Sequence, residues 1–171
     1  GISSRRDVDR LAPLVDAFLV GSSLMREHDV RDAARALVFG RVKVCGLTEA
    51  EDARLVAAAG ATLGGVVFAK ESPRCISLER AERIAAAGHL PLVGVFVNEP
   101  IEQIVRAAWT IGLAAVQLHG DEDAAYVRAL KASLPAACAV WKAAHVAAPG
   151  ILHTAAASAQ AEEAADRIVF D

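Results

Sequence analysis

The chain has 171 residues, enough for one domain of ordinary size with a substantial core. Its 54% hydrophobic share is inflated by alanine, and no stretch reaches the roughly 18 uninterrupted apolar residues of a membrane-crossing helix. A net charge of −3, the lack of any basic run and an aromatic share of only 5% argue against nucleic-acid binding.

The first 40 residues contain two helix signals and one strand signal. Ser4 can cap a helix running to about Leu14, and Ala17-Phe18-Leu19-Val20 reads as a strand. Gly21-Ser22-Ser23 makes a tight turn, Asp29 caps a helix over 30–39, and Gly40 ends it.

From residue 42 the pattern becomes regular. Apolar, β-branched runs occur near 42–44, 63–68, 91–97, 113–118, 138–143 and 167–170. Their starts are spaced by roughly 22 to 29 residues, about one βα unit each. The runs do not alternate in polarity, as expected of parallel strands covered on both faces. Between them, Thr48-Glu49-Ala50-Glu51 reads as a capping box, with Gly60 where that helix stops. Ser77 caps a helix through Ala87, ahead of Gly88. Pro100 takes a first-turn position in a helix ending near Gly112, and Asp121 caps one reaching about Ser133. The alanine-rich interval 145–166 gives no clear boundaries. Six βα strands are two short of a closed eight-stranded barrel, and an open doubly wound sheet fits the count as well. No glycine-rich dinucleotide fingerprint follows the first strand, which favours an α/β fold of the parallel (β/α) barrel type, incomplete at six units.

Chemistry-bearing residues gather at strand ends. Cys45 closes the first run of this region, facing a βα loop, where parallel α/β proteins keep their catalytic groups. Alone it would be a small buried hydrophobe, but a helix N-terminus and Lys43, two residues back on the same side, both favour a reactive thiol. Cys45, Cys75 and Cys138 form no C-x-x-C pair, which argues against zinc or a disulfide framework and suits a reducing cytosol. Arg74, after Ser72-Pro73, is either a solvated loop cation or a planar fork for a substrate carboxylate. Gln117 and His119 point to one face of the fourth strand, where polar groups need partners. His28, His89, His145 and His153 form no ligand spacing and read as surface positions. Asp171 follows the sixth strand, either as a functional carboxylate or as a loop or cap residue. The Gly21-Ser22-Ser23 turn could cradle a phosphate with backbone N–H groups at a helix start.

Taken together, residues 42–171 resemble phosphoribosylanthranilate isomerase of tryptophan biosynthesis. The matching pieces are Lys43-Val44-Cys45-Gly46-Leu47-Thr48, Gly64-Gly65-Val66-Val67-Phe68, Ser72-Pro73-Arg74, Val93-Gly94-Val95-Phe96, Val116-Gln117-Leu118-His119-Gly120 and Val169-Phe170-Asp171. Residues 1–40 resemble the end of indole-3-glycerol-phosphate synthase, through Gly1-Ile2-Ser3 and Phe18-Leu19-Val20-Gly21-Ser22-Ser23-Leu24-Met25. The resemblance implies two units, 1–40 from the end of a synthase barrel and 41–171 from the start of an isomerase barrel, as in a fused bifunctional enzyme. The start at Gly1 and the stop at Asp171 fit a piece of a longer polypeptide.

That resemblance implies an acid–base Amadori rearrangement with Cys45 as base and Asp171 as acid. Arg74 would hold the anthranilate carboxylate, while Lys43, Gln117 and His119 line the pocket. Gly1, Gly21 and Ser22 would remain from the synthase phosphate site. No cofactor or metal is implied. The substrate is a small phosphosugar–anthranilate, in a cytoplasmic enzyme without nucleic-acid or membrane partners. The family's glycine-rich phosphate loop after the sixth strand is missing here, as are the synthase lysines and glutamates. The expectation is therefore a monomeric parent that catalyses both steps, and a 171-residue piece that is inactive and self-associating. Two alternatives stay open, a non-catalytic half-barrel binding phosphorylated metabolites and another phosphosugar barrel enzyme.

Overall fold

A computed structural model describes residues 2–15, 17–144, 146–148, 151–152 and 156–170. The six apolar runs become β1 (Lys43–Cys45), β2 (Leu63–Val67), β3 (Leu92–Phe96), β4 (Ala115–Leu118), β5 (Ala139–Ala144) and β8 (Arg167–Phe170), and the interval 145–166 adds two short strands among the described residues, β6 (Val146–Ala148) and β7 (Ile151–Leu152). Six of them form one parallel sheet in the order β1-β2-β3-β4-β5-β8, while β6 and β7 pair antiparallel. The order follows the chain without reversal, which removes the doubly wound alternative.

The sheet is curled. On a flat sheet β1 and β4 would stand about 14 Å apart, at ~4.8 Å per strand. Instead Lys43 Nζ on β1 donates to Gln117 Oε1 on β4 at 2.5 Å. Alternate residues therefore line a lumen: Val93, Ala115 and Trp141 form one apolar layer, and Val67, Ala69 and Val95 another. The opposite face carries the main core. There Val66, Phe96, Val116, Leu118 and Val140 pack against helix residues such as Ala81, Ile84, Ile104, Val127 and Leu130.

Among the described residues seven α-helices accompany the strands: α1 (Arg5–Leu11), α2 (Val30–Phe39), α3 (Ala50–Ala58), α4 (Leu78–Ala86), α5 (Ile101–Ile111), α6 (Ala124–Ser133) and α7 (Ala156–Ala164). Ser4, Asp29 and Ser77 cap α1, α2 and α4 as the sequence indicates. Gly112 ends α5 in the left-handed conformation, at φ +71°.

Some expectations shift. Glu49 rather than Thr48 is the N-cap of α3, because Asp52 closes the box while Glu51 pairs with Arg54. Asp123 rather than Asp121 caps α6, since the Asp121 N–H donates to Asn98 Oδ1 at 2.8 Å. Pro100 is the N-cap of α5, one residue before its first turn. The first helix stops at Leu11 and continues to Leu14 as a 3₁₀ turn carrying Pro13. Residues 17–20 form no strand among the described residues, and Leu19 is 99% exposed, because a strand needs a ladder partner.

Candidate active site

β1 ends at Cys45, and Gly46 turns the chain at φ +92°, a conformation that favours glycine. The Gly46 and Leu47 N–H groups both donate to Gly65 O at 2.9 Å, and buried Leu47 anchors the turn. Cys45 is left exposed at the mouth of the lumen. Lys43 Nζ lies 3.4 Å from its Sγ and also bonds Gln117, whose Nε2 meets His119 Nε2. Gln117 is buried, so its amide needs these partners. The four side chains thus form a connected polar track from thiol to imidazole.

Arg74 reaches the same place from the loop after β2. Its N–H donates to Ser72 Oγ at 3.2 Å, and Cys75 bridges back to Val67 beside the sheet. The guanidinium crosses Gly46, with Nη1 donating to Cys45 O at 3.1 Å. The residue remains exposed, and a guanidinium carries further N–H donors besides the one bonded to Cys45 O. The structure therefore brings Cys45, Lys43, Arg74, Gln117 and His119 together. Asp171 lies outside the described residues, directly after β8.

In the first 40 residues, Gly1 also lies outside the described residues. Gly21 O accepts from Met25 N at 3.0 Å, and Gly21 and Ser22 stand in an exposed turn. That turn is tied to the chain start through Ser23, whose Oγ donates to Ile2 O at 2.6 Å.

Sequence reasoning passed over Glu122 and Lys142, which form a buried ion pair at 3.3 Å at the same end of the sheet. The signal was available: a lysine inside the apolar run 138–143 must find a partner.

Residues 42–171 match the family model of N-(5'-phosphoribosyl)anthranilate (PRA) isomerase. The chain belongs to the phosphoribosylanthranilate isomerase family. It is 43% identical over 143 residues to the tryptophan biosynthesis protein TrpCF of Haemophilus influenzae, covering 84% of this chain and 30% of that protein. A phosphoribosylanthranilate isomerase solved with reduced 1-(o-carboxyphenylamino)-1-deoxyribulose 5-phosphate is 40% identical, with a TM-score of 0.58 over 64% of this chain and 55% of that one. The isomerase of Thermus thermophilus superposes with a TM-score of 0.62 at 34% identity, over 77% and 62% of the two chains. The chain thus spans about 30% of the length of such a TrpCF relative. The aligned 143 residues exceed the stretch 42–171, so the TrpCF similarity reaches into the first 41 residues as well.

Proposed function

We propose that this chain carries the base-bearing part of a phosphoribosylanthranilate isomerase site, within a polypeptide that also has indole-3-glycerol-phosphate synthase activity. The reaction converts N-(5-phosphoribosyl)anthranilate into 1-(2-carboxyphenylamino)-1-deoxyribulose 5-phosphate. Asp171 protonates the ring oxygen, and the furanose C1′–O bond breaks to leave a Schiff base. Cys45 then removes the C2′ proton, and the resulting enolamine tautomerises to the aminoketose. Arg74 holds the anthranilate carboxylate through its guanidinium fork, and Lys43, Gln117 and His119 line the pocket around the sugar. The synthase step then closes the indole ring with loss of CO2 and water. Residues 1–40 are the end of that second barrel, with Gly1, Gly21 and Ser22 as part of its phosphate site, and 41–171 begin the isomerase barrel.

The observation that carries this reading is the meeting of Arg74 with Cys45: a carboxylate anchor and a thiol share one mouth through the 3.1 Å bond. In the full-length polypeptide, Cys45→Ser and Asp171→Asn should each abolish isomerisation while synthase turnover persists. Retained isomerisation in either variant would remove that residue from the mechanism. The 171-residue chain alone should turn over neither substrate.

A further inference from the structure

A second polar assembly sits at the same end of the sheet, on its helix-facing side. Lys142 lies within β5 and Glu122 in the loop between β4 and α6, with side chains only 4% and 1% exposed. Lys142 Nζ donates to Gly120 O at 2.7 Å as well as pairing with Glu122. The Glu122 carboxylate accepts from Asn98 N at 2.9 Å and from Gly120 N at 3.0 Å. The loop after β3, the loop after β4 and strand β5 are thus joined at one point. The fit is close: a Cβ on Gly120 would lie 2.8 Å from Asn98 N, and Asn98 itself has a positive φ of +50°.

A buried ion pair adds little stability over an apolar replacement of the same shape, so stability does not account for this one. What an apolar pair could not do is hold both the N–H and the C=O of Gly120. That residue directly follows His119, whose own N–H is fixed on Phe96 O at 2.9 Å. We propose that Glu122 and Lys142 are positioning residues for the isomerase site. They act through Gly120 to set His119, and with it Gln117 and Lys43, at the mouth beside Cys45. The catalytic consequence rests on the isomerase reading above; the positioning itself does not.

The test uses the full-length polypeptide with Lys142→Met, and with the isosteric Glu122→Gln should the first not fold. Amide exchange at Gly120 and Asp121 should speed up by about tenfold or more, with β2 amides unchanged, as expected of a local opening. Isomerase kcat should fall by about ten- to a hundredfold with KM nearly constant, the size of effect a displaced site produces. Val127→Ala, a core truncation in α6, supplies the comparison: it should lower stability yet keep kcat. If Lys142→Met behaves like Val127→Ala, losing stability but not kcat, the pair is merely structural and the proposal falls. Unchanged exchange at Gly120 overturns it as well. Absence of turnover in the unaltered polypeptide would instead sink the isomerase reading, and exchange alone would then decide the positioning.

Discussion

At Gly65 the missing side chain is what lets Cys45 and Lys43 lie side by side. A Cβ there would stand 2.9 Å from both Cys45 Sγ and Lys43 Cε, and 3.0 Å from Cys45 Cα. The two side chains could swing away, but the backbone atom cannot without parting β1 from β2. Gly65→Ala should therefore cost about 1–3 kcal/mol, the usual range for overpacking, read as a lower midpoint in urea unfolding. The cysteines differ in a second measurable way. Burial, with a smaller contribution from the Asp166 charge, pushes the Cys138 thiol up to about 11. Cys45 and Cys75 are exposed. Iodoacetamide at pH 8 should modify two thiols on the native chain, and mass mapping should find Cys138 intact until the chain is unfolded. Cys45 and Arg74 were legible in the sequence because strand-end and loop positions follow directly from the spacing of apolar runs. Lys142 announced by its apolar surroundings that it needed a partner, but its pairing with Glu122 was not legible, because that depends on how the loop after β4 folds back over the neighbouring strand.

The start of α3 shows how an element is set by reach as well as by residue type. The sequence signals a box beginning at Thr48, whereas the structure closes one beginning at Glu49. Asp52 decides between them, since its Oδ2 accepts from Thr48 N at 2.9 Å, Glu49 N at 3.0 Å and Thr48 Oγ1 at 3.0 Å. The element and its length were readable from the pattern, whereas the cap depended on which carboxylate could bend back. The backbone bond from Thr48, helped by its hydroxyl and by Glu49 N, holds the Asp52 carboxyl below its ordinary value of 3.8, against the opposing effect of burial. A carboxyl depressed in the folded state stabilises fully above its unfolded pKa and loses that contribution as pH falls through the lower folded value. Asp52→Ala should then cost about 1 kcal/mol near neutrality, as a lost cap does. The difference from the parent should begin to shrink as pH approaches 3.8 and vanish only below the lower folded value, which paired urea titrations at pH 7 and in acid would show. At the far end of α5, Gly112→Ala meets no atom within 4 Å but must hold φ +71°. Its cost, about 1 kcal/mol, would be purely conformational.

For the whole molecule, the curl of the sheet matters less than what it leaves unpaired. Among the described residues β1 and β8 are the outermost strands of the sheet, and each has a partner on one side only. Their outer N–H and C=O groups form a template for another chain, and closure into a barrel is the usual way such edges are removed. The apolar surface points in the same direction, with Ile168 of β8 44% exposed, Phe39 56%, Leu14 76% and Leu19 99%. Apolar groups left in water favour association at about 25 cal/mol per Å² buried. The 171-residue chain in isolation should therefore associate, giving a light-scattering mass that rises with concentration above 17.9 kDa. Ile168→Lys tests whether the β8 edge is responsible, because a lysine on an edge strand opposes strand addition. It should shift the distribution towards the single chain, whereas Leu55→Lys, on an exposed helical position of α3, should leave it unchanged. A monodisperse species of single-chain mass at all concentrations would show that the two edges are already protected.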